Sequence, residues 1–327
     1  MLYAFIRRQG LTERRERLAG QDLPAGAVWY DLYDPSAEER AIVEAALGIA
    51  LPTREEMGEI EPSSRLYLEG EAVYMTATIL NRADEPNPGA DPITFVLARQ
   101  TLVTLRYVDP RPVGSYAARL ARQPGACVGA EDALVGLLEA FIDRFADILE
   151  RVSLDLDQTS RTIFDPGAGR PAGERDLQSV LKTLARNDDL ASTTRESLLS
   201  ISRVISFLGA IADGWPKKEA KELKLRLKTA SRDIASLAEH AGFETSKINF
   251  LLNATLGMIN IEQNRIIKLF SVAAVVFLPP TLVASLYGMN FRHMPELDWL
   301  YGYPMAIGAM ILSAVVPYLF FKAKGWF

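Results

Sequence analysis

The sequence predicts an α+β membrane protein, with an N-terminal α/β domain, a long helical stalk and a C-terminal transmembrane hairpin of two helices. Short β-rich runs are confined to the first third of the chain, long helical stretches separated by two glycine- and proline-containing breaks follow, and the C-terminal end contains two charge-free apolar runs. The 327 residues are 49% hydrophobic and 24% charged, which excludes a disordered chain. The formal net charge of −5 argues against a nucleic-acid-binding protein.

The predicted α/β domain covers residues 1–125. Five runs rich in β-branched and aromatic residues predict strands: Ala27–Leu32, Arg65–Leu68, Ala72–Leu80, Ile93–Leu97 and Thr101–Val108. Ser36, followed three positions later by Glu39, predicts the start of a helix that reaches Leu47. Prolines and a glycine predict a loop over Ala83–Pro92, and the Pro110-Arg111-Pro112 segment closes this region.

A helical region over residues 126–265 comes next. Three stretches between clusters of glycine and proline predict helices over Glu131–Phe164, Glu174–Ile211 and Lys217–Tyr287. The third is the stalk helix, which continues into the membrane hairpin predicted over residues 266–327. A continuous helix of about 71 residues would be roughly 105 Å long. We expect Pro279 and Pro280 to kink it within the membrane.

The membrane prediction depends on two runs without a charged residue, Leu269–Phe291 and Trp299–Phe321. Each has roughly 23 residues, or about 34 Å of helix, which is enough to cross a hydrocarbon layer of about 30 Å. They predict spans at about 267–288 and 301–321. The aromatic residues at their ends are typical of interfacial anchors: Trp299, Tyr301, Tyr303 and Trp326. The alternative is a pair of buried helices in a globular protein.

Charges beside the spans predict their orientation. Basic residues precede the first span and follow the second, whereas the connecting loop has no basic excess. Arg265 and Lys268 precede the first charge-free run, Lys322 and Lys324 follow the second, and the loop between them contains Arg292, Glu296 and Asp298. The positive-inside rule therefore predicts a multi-pass protein of the cell membrane with cytoplasmic N- and C-termini. The apolar stretch before Arg7 is too short for a signal peptide, and the single cysteine, Cys127, fits a reducing compartment.

The first long helix is strongly acidic, with nine carboxylates against three arginines between Glu131 and Asp165. Two interpretations remain open. The carboxylates form either an ordinary solvated face or a surface for divalent cations, which prefer oxygen ligands.

A stripe of small and uncharged polar residues runs along the stalk helix into the membrane. Its members alternate at spacings of four and three, which places them on one helix face: Asn253, Gly257, Asn260, Asn264, Ile267, Ser271, Ala274, Leu278, Thr281 and Ser285. The stripe serves either tight helix packing or a pore lined by identical helices from several subunits. In a pore, Ile267 and Leu278 would form apolar constrictions that gate by dewetting. Because the stripe has no carboxylate, an ion could keep much of its water, which suits magnesium.

The end of the first span supplies a motif. Tyr287-Gly288-Met289-Asn290 closes the span, and Met294-Pro295-Glu296-Leu297 follows before the second span and its basic tail. In this arrangement the chain resembles the CorA family of magnesium and cobalt transporters. The resemblance implies a homopentameric channel with a cytoplasmic funnel, whose outer mouth is ringed by Asn290 as the ligand of a hydrated cation.

The resemblance also implies roles for neighbouring residues. Gly288 would allow backbone geometry at the helix end that other residues avoid. Glu296 would add negative potential at the entrance, although a plain solvated loop residue is the alternative. Met289 favours magnesium over zinc, because a zinc-transporting branch of the family carries isoleucine there.

For cofactors and partners, the resemblance implies a channel for divalent cations with Mg2+ as the transported ion and Co2+ or Ni2+ as alternatives, and it implies Mg2+ as a cytoplasmic closing signal. No organic cofactor is expected. The ligands of that regulatory ion are unknown, with the acidic helix, Asp233 and Glu239 as candidates. The expected partners are further copies of the chain, membrane lipid and divalent cations, with no nucleic acid.

The sequence also bears on three other functions. An enzyme is not expected, because the Gly167–Gly173 segment has one residue too many for a dinucleotide loop, and His240 and His293 form no metal pair. A zinc transporter of the same superfamily is the first alternative. A non-conducting, membrane-anchored coiled-coil scaffold is the second, since Leu223, Leu227 and Ala230 begin a coiled-coil seam.

Overall fold

The computed structural model describes residues 1–8, 11–17, 21–85, 87–125, 127–164, 177–212, 217–290 and 294–325. These residues fall into two compact units. The first comprises Met1–Phe164 and Gln178–Leu252, and the second contains the chain from Asn253 onward.

A seven-stranded sheet organises the first unit. Its strands are β1 Leu2–Arg8, β2 Leu11–Glu16, β3 Ala27–Tyr33, β4 Leu66–Glu69, β5 Ala72–Asn81, β6 Gly89–Ala98 and β7 Thr101–Arg106. Their order is β2-β1-β3-β7-β6-β5-β4, and β3 pairs with β7 in parallel. The five predicted strands are therefore confirmed. Sequence reasoning missed β1 and β2. β1 is the apolar start of the chain. β2 is an edge strand in which charged residues predominate, so its sequence lacks the apolar alternation that predicts a strand.

The expected loop over Ala83–Pro92 is partly wrong. β6 already begins at Gly89, and Pro92 lies within it opposite Thr78. The Thr78 amide points away from Pro92 and donates to Ser200 at 2.9 Å, so the two residues form a pair without mutual hydrogen bonds. The β6–β7 pairing starts only at Ile93, so the proline nitrogen removes no hydrogen bond from the sheet.

Four short helices accompany the sheet: α1 Ala37–Leu47, α2 Arg54–Met57, α3 Pro62–Arg65 and α4 Arg111–Arg122. The start of α1 is confirmed, because Ser36 and Glu39 form a reciprocal capping box. α4 was not foreseen. Pro110 and Pro112, which were expected only to close the region, stand at its N-terminus, where a missing N–H removes no helical hydrogen bond.

The long helices are α5 Ala130–Phe164, α6 Leu177–Ile211, α7 Lys217–Tyr287 and α8 Gly302–Ala323, which confirms the predicted helical region and both apolar helices. The breaks predicted at 165–173 and 213–216 lie outside the described residues. Side chains of α6 supply hydrogen bonds to the edge of β5 where no neighbouring strand pairs with it. Beyond the short β4, the Ser200 and Ser197 hydroxyls accept hydrogen bonds from the amides of Thr78 and Leu80, at 2.9 and 2.8 Å. This contact covers the open edge of β5.

The core of the first unit contains an ion pair. Arg106 on β7 and Asp31 on β3 are almost completely buried, and an Arg106 Nη nitrogen lies 2.9 Å from an Asp31 carboxylate oxygen. Thr104 donates to the same carboxylate at 2.7 Å and accepts from the indole nitrogen of Trp29 at 3.0 Å. These bonds give the buried charges partners and tie the two parallel strands together.

The second unit exposes most of its apolar surface. From Asn253 onward, among the described residues, only Thr255, Val272, Gly302 and Ala306 are buried. In that part of the chain, α7 and α8 are the helices long and apolar enough to cross a membrane, because each contains an 18-residue window whose mean hydropathy is high, at 2.1 in α7 and 1.9 in α8. Core helices of a globular protein would be mostly covered, so the interpretation of the two runs as buried globular helices is wrong.

Candidate functional site

The predicted stripe on α7 is exposed along its whole length. All ten members, from Asn253 to Ser285, are exposed, and even the bulky Ile267 and Leu278 are 61% and 65% accessible. The side chains therefore lie on a surface that the chain itself leaves open.

From Asn253 onward, the covered residues of α7 lie on the face opposite the stripe. Thr255 and Val272 are buried, and Val276, Val283 and Tyr287 are half-buried. Most of these residues lie two positions after a member of the stripe, which is a rotation of about 200° around the helix. Packing within the chain thus uses the face away from the stripe. The stripe remains available either to other subunits or to water.

The stripe presents oxygen acceptors rather than charges. Its polar members are asparagines, serines and a threonine, and the Thr281 hydroxyl donates to the Phe277 carbonyl at 2.7 Å. With its hydrogen so engaged, the hydroxyl oxygen of this exposed residue can act only as an acceptor toward further partners. Outside the stripe, α7 is continuous through Pro279 and Pro280, whose missing N–H groups leave the carbonyls of Val275 and Val276 without helical donors. The amide and hydroxyl oxygens of the stripe can receive hydrogen bonds from the water around a cation.

The C-terminal end of α7 carries the Gly288-Met289-Asn290 motif. The helix ends at Tyr287, after which the Gly288 amide donates to the Ala284 carbonyl at 2.9 Å. All three motif residues are exposed. Within the part of the chain that the structure describes, the Asn290 side chain makes no hydrogen bond, so its amide oxygen is available to an external donor.

The conformational reason expected for Gly288 is wrong. Its φ is not positive, so the backbone conformation would be open to other residues. Space is the tighter constraint there, because a Cβ atom would lie 3.1 Å from the Ala284 carbonyl oxygen.

The segment after the motif forms a single 3₁₀ turn over Pro295–Leu297 before α8 begins. Glu296 is exposed on this turn. The Trp299 and Tyr301 rings, at the start of α8, meet edge to face with centroids 6.0 Å apart. Arg292 and His293 in the loop, and the predicted anchor Trp326, lie outside the described residues.

The acidic helix α5 is partly neutralised by the stalk. Arg226 on α7 forms ion pairs with Asp132 and Glu139, and Lys247 pairs with Asp157 at 2.6 Å. The hydrogen bonds to Glu139 and Asp132 raise the pKa of the Arg226 guanidinium, and the bond from Lys247 lowers the pKa of Asp157. These carboxylates are structural partners of α7.

No group of three or more potential metal ligands occurs among the described residues. Asp233 and Glu239 are exposed on α7, and Asp165 lies outside the described residues. Asp143 on α5 differs from the paired Asp157, because burial raises the pKa of the Asp143 carboxyl group. Within one chain, the residues that the structure describes therefore assemble no regulatory cation site.

The chain is similar to known proteins over its whole length. The profile of the family described as "CorA-like Mg2+ transporter protein" matches residues 24–323. The chain is 39% identical to the "Magnesium transport protein CorA" of Escherichia coli and 39% identical to that of Salmonella typhimurium, with both proteins covered completely in each case. The solved CorA magnesium transporter of Methanocaldococcus jannaschii has a similar fold. Its TM-score is 0.73 at 16% identity, over 100% of this chain and 99% of that one.

Proposed function

The chain belongs to the family of CorA-like Mg2+ transporter proteins, and we propose that it conducts Mg2+ across the cell membrane as a homo-oligomer, with five subunits as the family resemblance implies. The ion moves down its electrochemical gradient, so the function includes no catalysed chemical step and no organic cofactor. For a divalent ion the membrane potential supplies about 4.6 kcal/mol per 100 mV. Both termini lie in the cytoplasm.

The observation that carries this proposal is that all ten members of the α7 stripe are exposed, on the face opposite the covered residues. Two transmembrane helices cannot enclose a channel, so several copies of the chain must each contribute one α7. The proposed pore lining is the stripe from Asn253 to Ser285. The domain division at residues 1–125, 126–265 and 266–327 then separates an α/β body, a helical stalk and a membrane hairpin.

Selection takes place at the outer mouth. The side-chain oxygens of several Asn290 residues accept hydrogen bonds from the water shell of the ion, which lets Mg2+ enter without losing its tightly held water. Gly288 and Met289 complete this motif. Glu296 on the adjoining turn adds negative potential and raises the local cation concentration.

Closure takes place along the same helix. Rings of Ile267 and Leu278 narrow the pore with apolar side chains and stop conduction when the narrow region loses its water. Cytoplasmic Mg2+ favours this closed state by bridging carboxylates of neighbouring subunits, whose repulsion otherwise spreads the stalks.

A purified, reconstituted protein tests the proposal. Liposomes loaded with a Mg2+-sensitive dye and held at an inside-negative potential should take up Mg2+ in a saturable, voltage-dependent manner. Native mass spectrometry of the same sample should count five chains.

Competition by Co2+, Ni2+ and Zn2+ in the same assay distinguishes the transported ions. Uptake of Zn2+ in preference to Mg2+ would favour the zinc-transporter alternative. The complete absence of flux from a correctly inserted protein would favour the scaffold.

A further inference from the structure

Gly302, the first residue of α8, lies in direct contact with the loop that carries Glu296. The position that a Cβ atom would take at Gly302 is already occupied by the Glu296 carbonyl oxygen. The carbonyl carbon of Glu296 lies 3.2 Å from that position and the Cβ of Trp299 lies 4.0 Å away. Gly302 is buried and its φ is not positive, so close approach of another backbone segment, rather than unusual backbone conformation, requires glycine here.

Backbone hydrogen bonds also stabilise the segment that leads from the 3₁₀ turn into α8. The Gly302 amide donates to the Trp299 carbonyl at 2.9 Å, and the Met305 amide donates to the Tyr301 carbonyl at 3.0 Å. These bonds fix the entry of the chain into α8, and the 3₁₀ turn rests on the Cα of Gly302. The chain offers a contrast in the same helix, because a Cβ atom at Gly308 would have no atom within 4 Å.

We infer that Gly302 is a positioning residue that seats the Pro295–Leu297 turn against the start of α8 and thereby sets where the Glu296 carboxylate lies. This role rests on the proposed Mg2+ transport. A methyl group at position 302 would have to displace the Glu296 main chain, since the backbone carbonyl, unlike the end of a long side chain, cannot swing aside. The charge on Glu296 would move with it, and electrostatic attraction declines over a Debye length of about 8 Å at physiological salt.

The test compares Gly302→Ala with Gly308→Ala as the matched control, both reconstituted as full-length protein, with external Mg2+ as the probe. We expect Gly302→Ala to raise the half-saturating Mg2+ concentration by about threefold or more and to leave the maximal rate within about twofold, as Glu296→Gln should. The salt dependence of half-saturation should weaken in both variants. Gly308→Ala should match the wild type.

The double variant identifies the path of the effect. If Gly302 acts through Glu296, then Gly302→Ala combined with Glu296→Gln should have no higher half-saturation than the more severe single variant. Multiplied effects in the double variant, an unchanged half-saturation in Gly302→Ala, or a loss confined to the maximal rate would overturn the inference.

A second variant applies if Gly302→Ala fails to assemble. One glycine inserted after the exposed Leu300 shifts the turn relative to α8 while Gly302 is retained. This insertion should raise the half-saturating Mg2+ concentration in the same way. A half-saturating concentration equal to that of the wild type would overturn the inference. Wild-type protein without Mg2+ uptake would contradict the proposed function itself. Normal wild-type uptake combined with unaltered variants would contradict only the role of Gly302.

Discussion

At the scale of single residues, Asn290 carries the proposed selectivity. Its side chain is exposed just beyond the end of α7 and makes no hydrogen bond within the described part of the chain. We predict that Asn290→Ala reduces Mg2+ uptake by more than about tenfold, because the alanine offers no oxygen to the water around the ion. Uptake into liposomes is the measurement, together with native mass spectrometry to show that the variant assembles.

Asn249→Ala is the matched control for this change. Asn249 is also exposed on α7, but its amide nitrogen donates to the Thr245 carbonyl at 3.0 Å within its own helix. Uptake should stay near the wild-type rate in this variant. Normal uptake by an assembled Asn290→Ala protein would contradict the selectivity assignment.

Leu278 is the proposed gate nearest the centre of the membrane span. We predict that Leu278→Asn makes the closed channel leak, because an amide in the narrow region retains water that leucine excludes. Phe277→Asn is the control, since the neighbouring side chain is 69% exposed against 65% for Leu278 but lies outside the stripe. Basal flux at saturating cytoplasmic Mg2+ is the measurement. Equal basal flux in Leu278→Asn and the wild type would show that Leu278 is not a gate.

Residues whose roles follow from a local sequence pattern could be predicted, whereas residues whose roles depend on contact between separate segments could not. The stripe is a local periodicity, so the sequence predicted a common face for its ten members, although it left the use of that face open. Gly302 was not identified, because its role arises from contact between the helix start and a residue six positions earlier. A glycine near the start of the predicted second span, directly after a short loop, was the only signal available.

At the scale of elements, Asp84 connects the sheet to two helices. Its carboxylate, in the β5–β6 connection, forms ion pairs with Arg111 at the start of α4 and with Arg144 and Arg151 on α5. The hydrogen bond from Arg151 is the largest cause of the lowered pKa of Asp84, and the other two guanidinium groups add to it. A single carboxylate thus holds three elements together.

We predict that Asp84→Asn lowers the unfolding free energy of the protein by about 1 kcal/mol at neutral pH, because the pairs are partly exposed and individually weak. Since the folded-state pKa is lowered, this stabilisation is complete above the ordinary carboxyl pKa of about 3.9 and is lost as the pH falls through the folded value. The thermal midpoints of the variant and the wild type should therefore converge at acidic pH. Glu85→Gln, at the next position, is the control, and an equal loss in both variants would contradict the role of Asp84.

The elements differ in how readily the sequence predicts them. Long helices such as α7 and apolar strands such as β7 have strong patterns, and both were found. β2 was missed because an edge strand needs only one covered residue, Thr12 in this case. α4 and the start of β6 were missed because prolines normally indicate interruption, whereas Pro112 and Pro92 occupy positions without an amide partner.

At the scale of the whole molecule, cytoplasmic Mg2+ is the proposed closing signal. We predict that chelating Mg2+ on the cytoplasmic face increases inward Mg2+ current and that adding it back reverses the increase, because unbridged carboxylates of neighbouring stalks repel one another. Currents from membrane patches are the measurement. Asp233→Asn with Glu239→Gln tests two candidate residues and should reduce the response. A current that is insensitive to chelation would contradict regulation by this ion.

The central claim is that the stripe on α7 lines the ion pathway, and cysteine scanning of the assembled channel tests it most directly. The natural Cys127 is buried, and burial raises the pKa of its thiol to about 12, so it stays unreactive at neutral pH. Single cysteines at Ser271, Ala274, Thr281 or Ser285 should let a charged, membrane-impermeant thiol reagent block Mg2+ flux. Cysteines on the opposite face, at Val272, Val276 or Val283, should not. Block from the opposite face, or block without regard to helix face, would contradict the account.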